Sequence, residues 1–200
     1  MELFKINDTI SKLESSDNPL SADVYFITGK EYTYIVDVGA CENALRLIND
    51  TPDKKIIITH FHQDHAGNLK AITGAAEIFV GSYTKKSTGI GTAITEKLLI
   101  EDGVKLEIIP IPSSHAKGSL GVLVNGEYLI LGDSVYGSAK GYNVSLLGDE
   151  IALLQSTDFT NALMSHDNVF YSKNQVLERL KTIYSHRQKN ENFIIYEDEY

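Results

Sequence analysis

The chain has 200 residues, 42% apolar and 22% charged, which suits one globular domain spanning 1–200 with a substantial core. Its net charge of −9 disfavours nucleic acid as a partner, because phosphate backbones need a basic surface. The opening Met1-Glu2-Leu3-Phe4-Lys5-Ile6-Asn7-Asp8 predicts neither a signal peptide nor a membrane span; with Cys41 the single cysteine, no internal disulfide forms and a cytoplasmic location is expected.

Residues Leu3 to Ile6 and Thr9 to Leu13 read as short strands, followed by a loop containing Ser15-Ser16-Asp17-Asn18-Pro19. Val24 to Ile27 and Tyr32 to Val36 flank Gly29-Lys30-Glu31 as a hairpin. The second strand ends at Asp37-Val38-Gly39. Asp37 has two readings there: an acceptor for a ligand histidine, or a turn and helix-capping residue. Cys41 follows near a helix start with no histidine close in sequence, and reads as a small packed residue. Glu42 to Asn49 is amphipathic, with Ala44, Leu45 and Ile48 on its inner side, and Thr51-Pro52-Asp53 breaks it before the strand Lys55 to Thr59.

That strand contains Ile56-Ile57-Ile58, a β-branched run that reads as buried, and it delivers His60-Phe61-His62-Gln63-Asp64-His65. Three of the six histidines and a carboxylate thus sit where a core strand ends and the chain turns into a short helix at Gly67 to Ile72. In extended backbone His60 and His62 leave the same face and can grip one metal ion. Asp64 and His65 point elsewhere and can hold a second. Imidazole and carboxylate suit zinc, iron or manganese, and the lack of thiolate argues against a closed structural zinc site.

Ala76 to Val80 reads as a buried strand, and the polar stretch Ser82 to Thr95 as a loop near the site. Gly89-Ile90-Gly91 lacks the strand and lysine of a phosphate-binding turn. Leu98 to Ile100 and Val104 to Ile109 are strands around Asp102-Gly103, and a Pro/Ser/Gly-rich loop follows with His115. Gly121 to Val124 and Tyr128 to Leu131 pair across Asn125-Gly126, and the second strand runs into Gly132-Asp133-Ser134. Asp149 to Gln155 reads as a short helix. Asn161 to Ser165 is a strand ending at His166. A helix from Asn174 to Gln188 has Val176, Leu177, Leu180, Ile183 and Tyr184 on its apolar face, with His186 off that face. The tail, Phe193 to Tyr196 and then Glu197-Asp198-Glu199, reads as an edge strand or an oligomer contact.

His60 to His65 resembles the H-x-H-x-D-H signature of the metallo-β-lactamase superfamily at every specified position. Upstream, Asp37-Val38-Gly39 resembles its early D-x-G turn; downstream, Pro112 to Ser119 resembles its P-G-H-T-P-G-S loop and Gly132-Asp133 its strand-ending G-D. Ser114, Ala116 and Lys117 depart from that loop's usual residues. The resemblance implies an αββα sandwich, two mixed sheets face to face with helices outside, and two divalent ions, zinc foremost, with iron or manganese as alternatives. It assigns His60, His62 and His115 to one ion, Asp64, His65 and His166 to the other, and Asp133 to both; His186 is the rival for the last histidine.

The implied activity is binuclear metal-dependent hydrolysis of a small ester-like substrate, a thioester or lactone, through a hydroxide shared by the ions, with Asp64 orienting it. Tyr136 falls where some lactonases of the superfamily bind the substrate carbonyl oxygen, and Lys140 where glyoxalase II-like enzymes meet an anion. Two alternatives come from other classes: a mononuclear-iron persulfide dioxygenase type, and a non-catalytic metal-binding module. Flavodiiron proteins share the scaffold but carry a flavodoxin partner domain, for which the residues beyond His166 are too few.

Overall fold

The computed structural model describes residues 3–196. The first half of the chain lays down a seven-stranded sheet whose strands follow one another in sequence order. They are β1 (Phe4–Lys5), β2 (Ile10–Leu13), β3 (Val24–Thr28), β4 (Thr33–Val36), β5 (Lys54–Ile58), β6 (Ala75–Gly81) and β7 (Thr92–Ile94). Pairing is antiparallel through β4 and parallel from there on. The parallel steps are made by α1 (Glu42–Asp50), by α2 (Gln63–Ala66) with a following 3₁₀ turn at Leu69–Ala71, and by α3 (Ser82–Thr88).

The second half repeats the plan in a six-stranded sheet: β8 (Leu98–Glu101), β9 (Lys105–Ile111), β10 (Ser119–Val124), β11 (Tyr128–Gly132), β12 (Asn161–Met164) and β13 (Tyr171–Ser172). Helix α4 (Val144–Ser156) makes the parallel crossover from β11 to β12, and α5 (Lys173–Ser185) packs beside it. Tyr142–Asn143 pairs with Phe193–Ile194 at the edge of this half. The expected residues Glu197 to Glu199 of the tail lie outside the described residues.

Alternation along the strands explains the layering. Tyr34, Val36 and Ile57 face inward against Leu106, Ile108, Val122 and Ile130 of the other sheet. Ile35, Ile56 and Ile58 face outward onto Ala44 and Ile48 of α1, with Leu47 rather than the expected Leu45 beside them. On the other side, Leu129 and Leu131 face outward onto Leu147, Leu154, Val176 and Leu180 of α4 and α5. These three cores make the four layers of the αββα sandwich that the resemblance implied. Ile56, Ile57 and Ile58 are each 0% exposed. Each contributes about 1.5–3 kcal/mol by burial, so the strand before the histidine turn is firmly held.

Two local expectations are corrected. The polar stretch Ser82 to Thr95 forms α3 and β7 rather than a loop: Thr84 is fully buried, and Gly89 closes the helix in the left-handed conformation. The helix read at Asp149 to Gln155 starts at Val144, capped by the Asn143 side chain accepting from the Ser145 and Leu146 amides. Gly148 lies inside it because a Cβ there would meet the Tyr184 hydroxyl of α5 at 3.3 Å. Among the described residues no helix is long and apolar enough to cross a membrane.

Candidate metal centre

Each element that carries a candidate ligand ends at the same rim of the sandwich. Strand β5 delivers His60 and His62, α2 carries Asp64 and His65, the loop after β9 carries His115, and Asp133 and His166 follow β11 and β12. The structure brings all seven together in two groups: His60, His62 and His115, and Asp64, His65, Asp133 and His166, with one donor atom of each residue within 4.8 Å of the others in its group. His186 stands apart, bonded to the Thr182 carbonyl with its ring tilted against that of Tyr196 at 5.1 Å.

The two sheets meet at Thr59. Its carbonyl accepts from the Leu120 amide at 2.8 Å, and a Cβ on Gly132 would come within 2.7 Å of its hydroxyl oxygen. Only glycine allows β11 to approach this closely, and that approach brings Asp133 to the histidine turn. Thr59 also reaches back to Asp37, its amide donating to Oδ1 at 2.7 Å and its hydroxyl to Oδ2 at 2.8 Å. Asp37 accepts from His65 Nδ1 at 2.7 Å, so of its two readings the structure gives the histidine acceptor.

These bonds assign tautomers. The Asp37 carboxylate can only accept, so His65 Nδ1 carries the proton and Nε2 faces the centre. The Gly137 carbonyl, 3.2 Å from His115 Nδ1, does the same for that ring. Thr59 spends its proton on Asp37 and accepts from His60 Nδ1 at 3.1 Å, which leaves His60 Nε2 bare. His62 presents Nδ1, 3.0 Å from both His60 Nε2 and His115 Nε2. His166 Nε2 lies 3.0 Å from Asp64 Oδ2.

Metal-ligating atoms thus converge on one small space. His65 Nε2 is buried without a hydrogen-bond partner, 3.4 Å from Asp64 Oδ2 and 3.3 Å from Asp133 Oδ2. Asp133 Oδ1 is buried and unpartnered as well, and Oδ2 lies 3.4 Å from His115 Nε2, so this one carboxylate touches both groups. Such an arrangement is costly unless a cation lies among the donors. Tetrahedral zinc, with nitrogens at about 2.0–2.1 Å, spaces neighbouring donors about 3.3 Å apart, close to the separations here. The donor set fits a divalent metal site.

The two groups differ electrically. Burial and the surrounding imidazoles push His60 far below the ordinary histidine pKa, and burial with His115 lowers His62. Burial would lower His65 too, but Asp37 and Asp133 outweigh it and raise the ring to about 10. The hydrogen bond to Asp64 raises His166; the same bond holds Asp64 below its usual range against the opposing effect of burial. Asp37 and His166 both adopt left-handed backbone, at φ 61° and 63°. For non-glycine residues this costs about 1–3 kcal/mol each, strain that the surrounding bonds must hold.

Beside His115 opens a cavity of about 440 Å³ walled by Phe61, Tyr83, Leu146 and Phe193 with Lys117 and Lys140 among its lining. Tyr136 is half-buried against the α4–α5 core with the Arg179 guanidinium 5.2 Å from its ring centre, and it belongs neither to the ligand groups nor to this lining. Thr59 was the ordering residue that strand and turn patterns passed over. Its signal is a hydroxyl placed directly before the first histidine.

Residues 17–86 match the family model of the metallo-beta-lactamase superfamily, a stretch that includes the histidine turn and stops before His115. No curated protein matches the sequence. A metallo-beta-lactamase from Pontibacter korlensis superposes with a TM-score of 0.69 at 18% identity, covering 90% of this chain and 97% of that one. A variant of the flavo di-iron protein from Thermotoga maritima gives 0.70 at 14% identity, over 94% of this chain but 63% of the other. The chemotaxis sensor ODP, in a structure described as a peroxy diiron species, gives 0.68 at 12% identity, over 90% and 94%.

Proposed function

We propose that the chain is a member of the metallo-beta-lactamase superfamily, a hydrolase that loads two divalent ions and cleaves a small ester-like substrate, a thioester or lactone. The observation that carries this reading is Asp133, a single buried carboxylate within 3.3–3.4 Å of a histidine from each group. His60, His62 and His115 would hold one ion, Asp64, His65 and His166 the other. Bound there, such ions supply a water nucleophile near neutral pH and stabilise charge on the substrate carbonyl oxygen.

The protein's own part is to hold and orient. Thr59, Asp37 and the Gly137 carbonyl engage Nδ1 of three imidazoles so that each Nε2 faces the centre. Asp64 Oδ2, kept ionised by His166, can accept a proton from the attacking water and pass it to the leaving group. The aromatic walls beside His115 suit an apolar acyl or ring portion, and Lys117 and Lys140 suit a substrate carrying negative charge. A small molecule, not nucleic acid, matches a chain of net charge −9. Tyr136, half-buried beneath Arg179, keeps its proposed carbonyl contact only as a question for mutation.

A second reading has its own support: the likeness to a flavo di-iron protein and to a peroxy diiron sensor favours iron and oxygen chemistry at the same donors. One experiment separates them. Purified protein loaded with zinc, manganese or iron is assayed on thioesters, lactones and phosphodiesters, and for oxygen consumption. Two ions per chain with ester cleavage support hydrolysis; iron with oxygen uptake and no cleavage supports the second reading and defeats the first.

A further inference from the structure

Away from the ligands, Lys12 and Asp23 form a buried ion pair, Nζ to Oδ1 at 3.4 Å, with side chains 3% and 0% exposed. A lysine in the interior of a strand is costly, and an apolar pair of the same volume is often as stable, so this pair calls for a reason other than stability. The remaining donors of Lys12 give one. They reach 155 and 156 residues along the chain, to the Asp167 carbonyl at 3.3 Å and the Asn168 side-chain oxygen at 3.0 Å. These are the two residues directly after His166, whose backbone is in the strained left-handed region.

Asp23 is fixed in turn by the Ser15 amide on Oδ1 at 2.8 Å. The same N-terminal segment grips the second group in two more places. The Ala22 amide donates to the Asp64 carbonyl at 3.0 Å, and the Tyr25 hydroxyl donates to the Met164 carbonyl at 3.3 Å. Asp64 and His166, which meet at 3.0 Å, are thus both suspended from residues 12–25. His60 and His115 are held by Thr59 and by Gly137 with Ser113.

We propose that Lys12, braced by Asp23, is a positioning residue that sets the His166 loop and thereby tunes affinity for the ion of the Asp64–His65–His166 group without altering the three-histidine group. The proposal rests on the two-ion reading but not on hydrolysis. Lys12→Met removes the ammonium while keeping the stem. Asn168→Ala removes only the shortest acceptor, on an exposed residue.

The test strips the protein and titrates it with Zn²⁺ against a competing chelator, resolving the two binding constants. Lys12→Met weakens the second ion on the order of 10–100-fold and leaves the first within about twofold. Asn168→Ala weakens the second ion about three- to tenfold at an unchanged metal-free melting temperature. The double variant is no worse than Lys12→Met, because both changes cut one contact. If Lys12→Met does not fold, Asn168→Ala decides alone. Equal loss at both ions, or no change at either, overturns the proposal, as does wild-type protein that takes a single ion. Two tight ions without ester cleavage leave it standing while removing the hydrolase reading.

Discussion

The two halves of the centre are built from opposite electrostatics. In the three-histidine group, burial and then the neighbouring imidazoles lower proton affinity, so His60 and His62 stand neutral. In the other group, carboxylates surround the rings and raise His65 to about 10, with His166 moved the same way. A preformed neutral site competes with nothing for its metal, whereas a carboxylate-rich site attracts cations strongly but holds protons that must first leave. The difference teaches that a two-metal rim need not load symmetrically. Asp133, touching both groups, is where the halves are coupled.

Removing that coupling should have the largest effect. Asp133→Asn is expected to weaken both ions and cut ester hydrolysis on the order of 10³-fold, measured by metal content and turnover together. By contrast, His115→Ala and His166→Ala should each empty one half first, and equal loss of both ions in either variant would break the comparison.

Asp37 tests the supporting bonds. Asp37→Asn keeps the shape but removes the charge beside His65, so second-ion affinity is expected to fall about 10–100-fold, with a smaller change at the first ion through Thr59. Calorimetric titration in buffers of different ionisation enthalpy reads both constants.

The same titrations count protons. At pH 7 His65 lies below its raised value of about 10 and is protonated without metal, while His60 and His62 are not. Loading the second ion should therefore release about one proton from His65, with a further contribution from His166, while His60 and His62 release none. The sign follows directly: from pH 7 towards 10, affinity for the second ion rises about tenfold per unit on account of His65. Proton release on the first ion but not the second would reverse the assignment.

The smallest effect is expected at the cavity. Lys140→Ala and Lys117→Ala should raise KM for an anionic substrate about two- to tenfold, sensitive to salt, with kcat nearly unchanged. Tyr136→Phe should leave kcat within about threefold if the tyrosine only packs, and a larger fall would place its hydroxyl on the substrate.

Legibility in the sequence tracked distance along the chain. The strand Ile56-Ile57-Ile58 and the turn from His60 to His65 are contiguous, so periodicity and donor chemistry alone exposed them. His115, Asp133 and His166 each follow a strand that reads clearly, but their roles and the sandwich come from the resemblance to the superfamily. What stayed hidden was long-range or read as mere polarity. Lys12 looks like an outward residue of a short strand, and nothing local links it to Asn168. The stretch Ser82 to Thr95 looks like a loop until Thr84 is seen buried against the sheet. Helix α4 reads short because Asp149 looks like a cap, whereas the chain is already helical from Val144 and Gly148 sits against Tyr184 of another helix.

The most direct test of the centre is a crystal structure of the zinc-loaded protein with anomalous differences collected at the metal edge. Two peaks are predicted, one among His60, His62 and His115 and one among Asp64, His65 and His166, with Asp133 between them. A single peak, or zinc bound away from these seven side chains, would contradict the account.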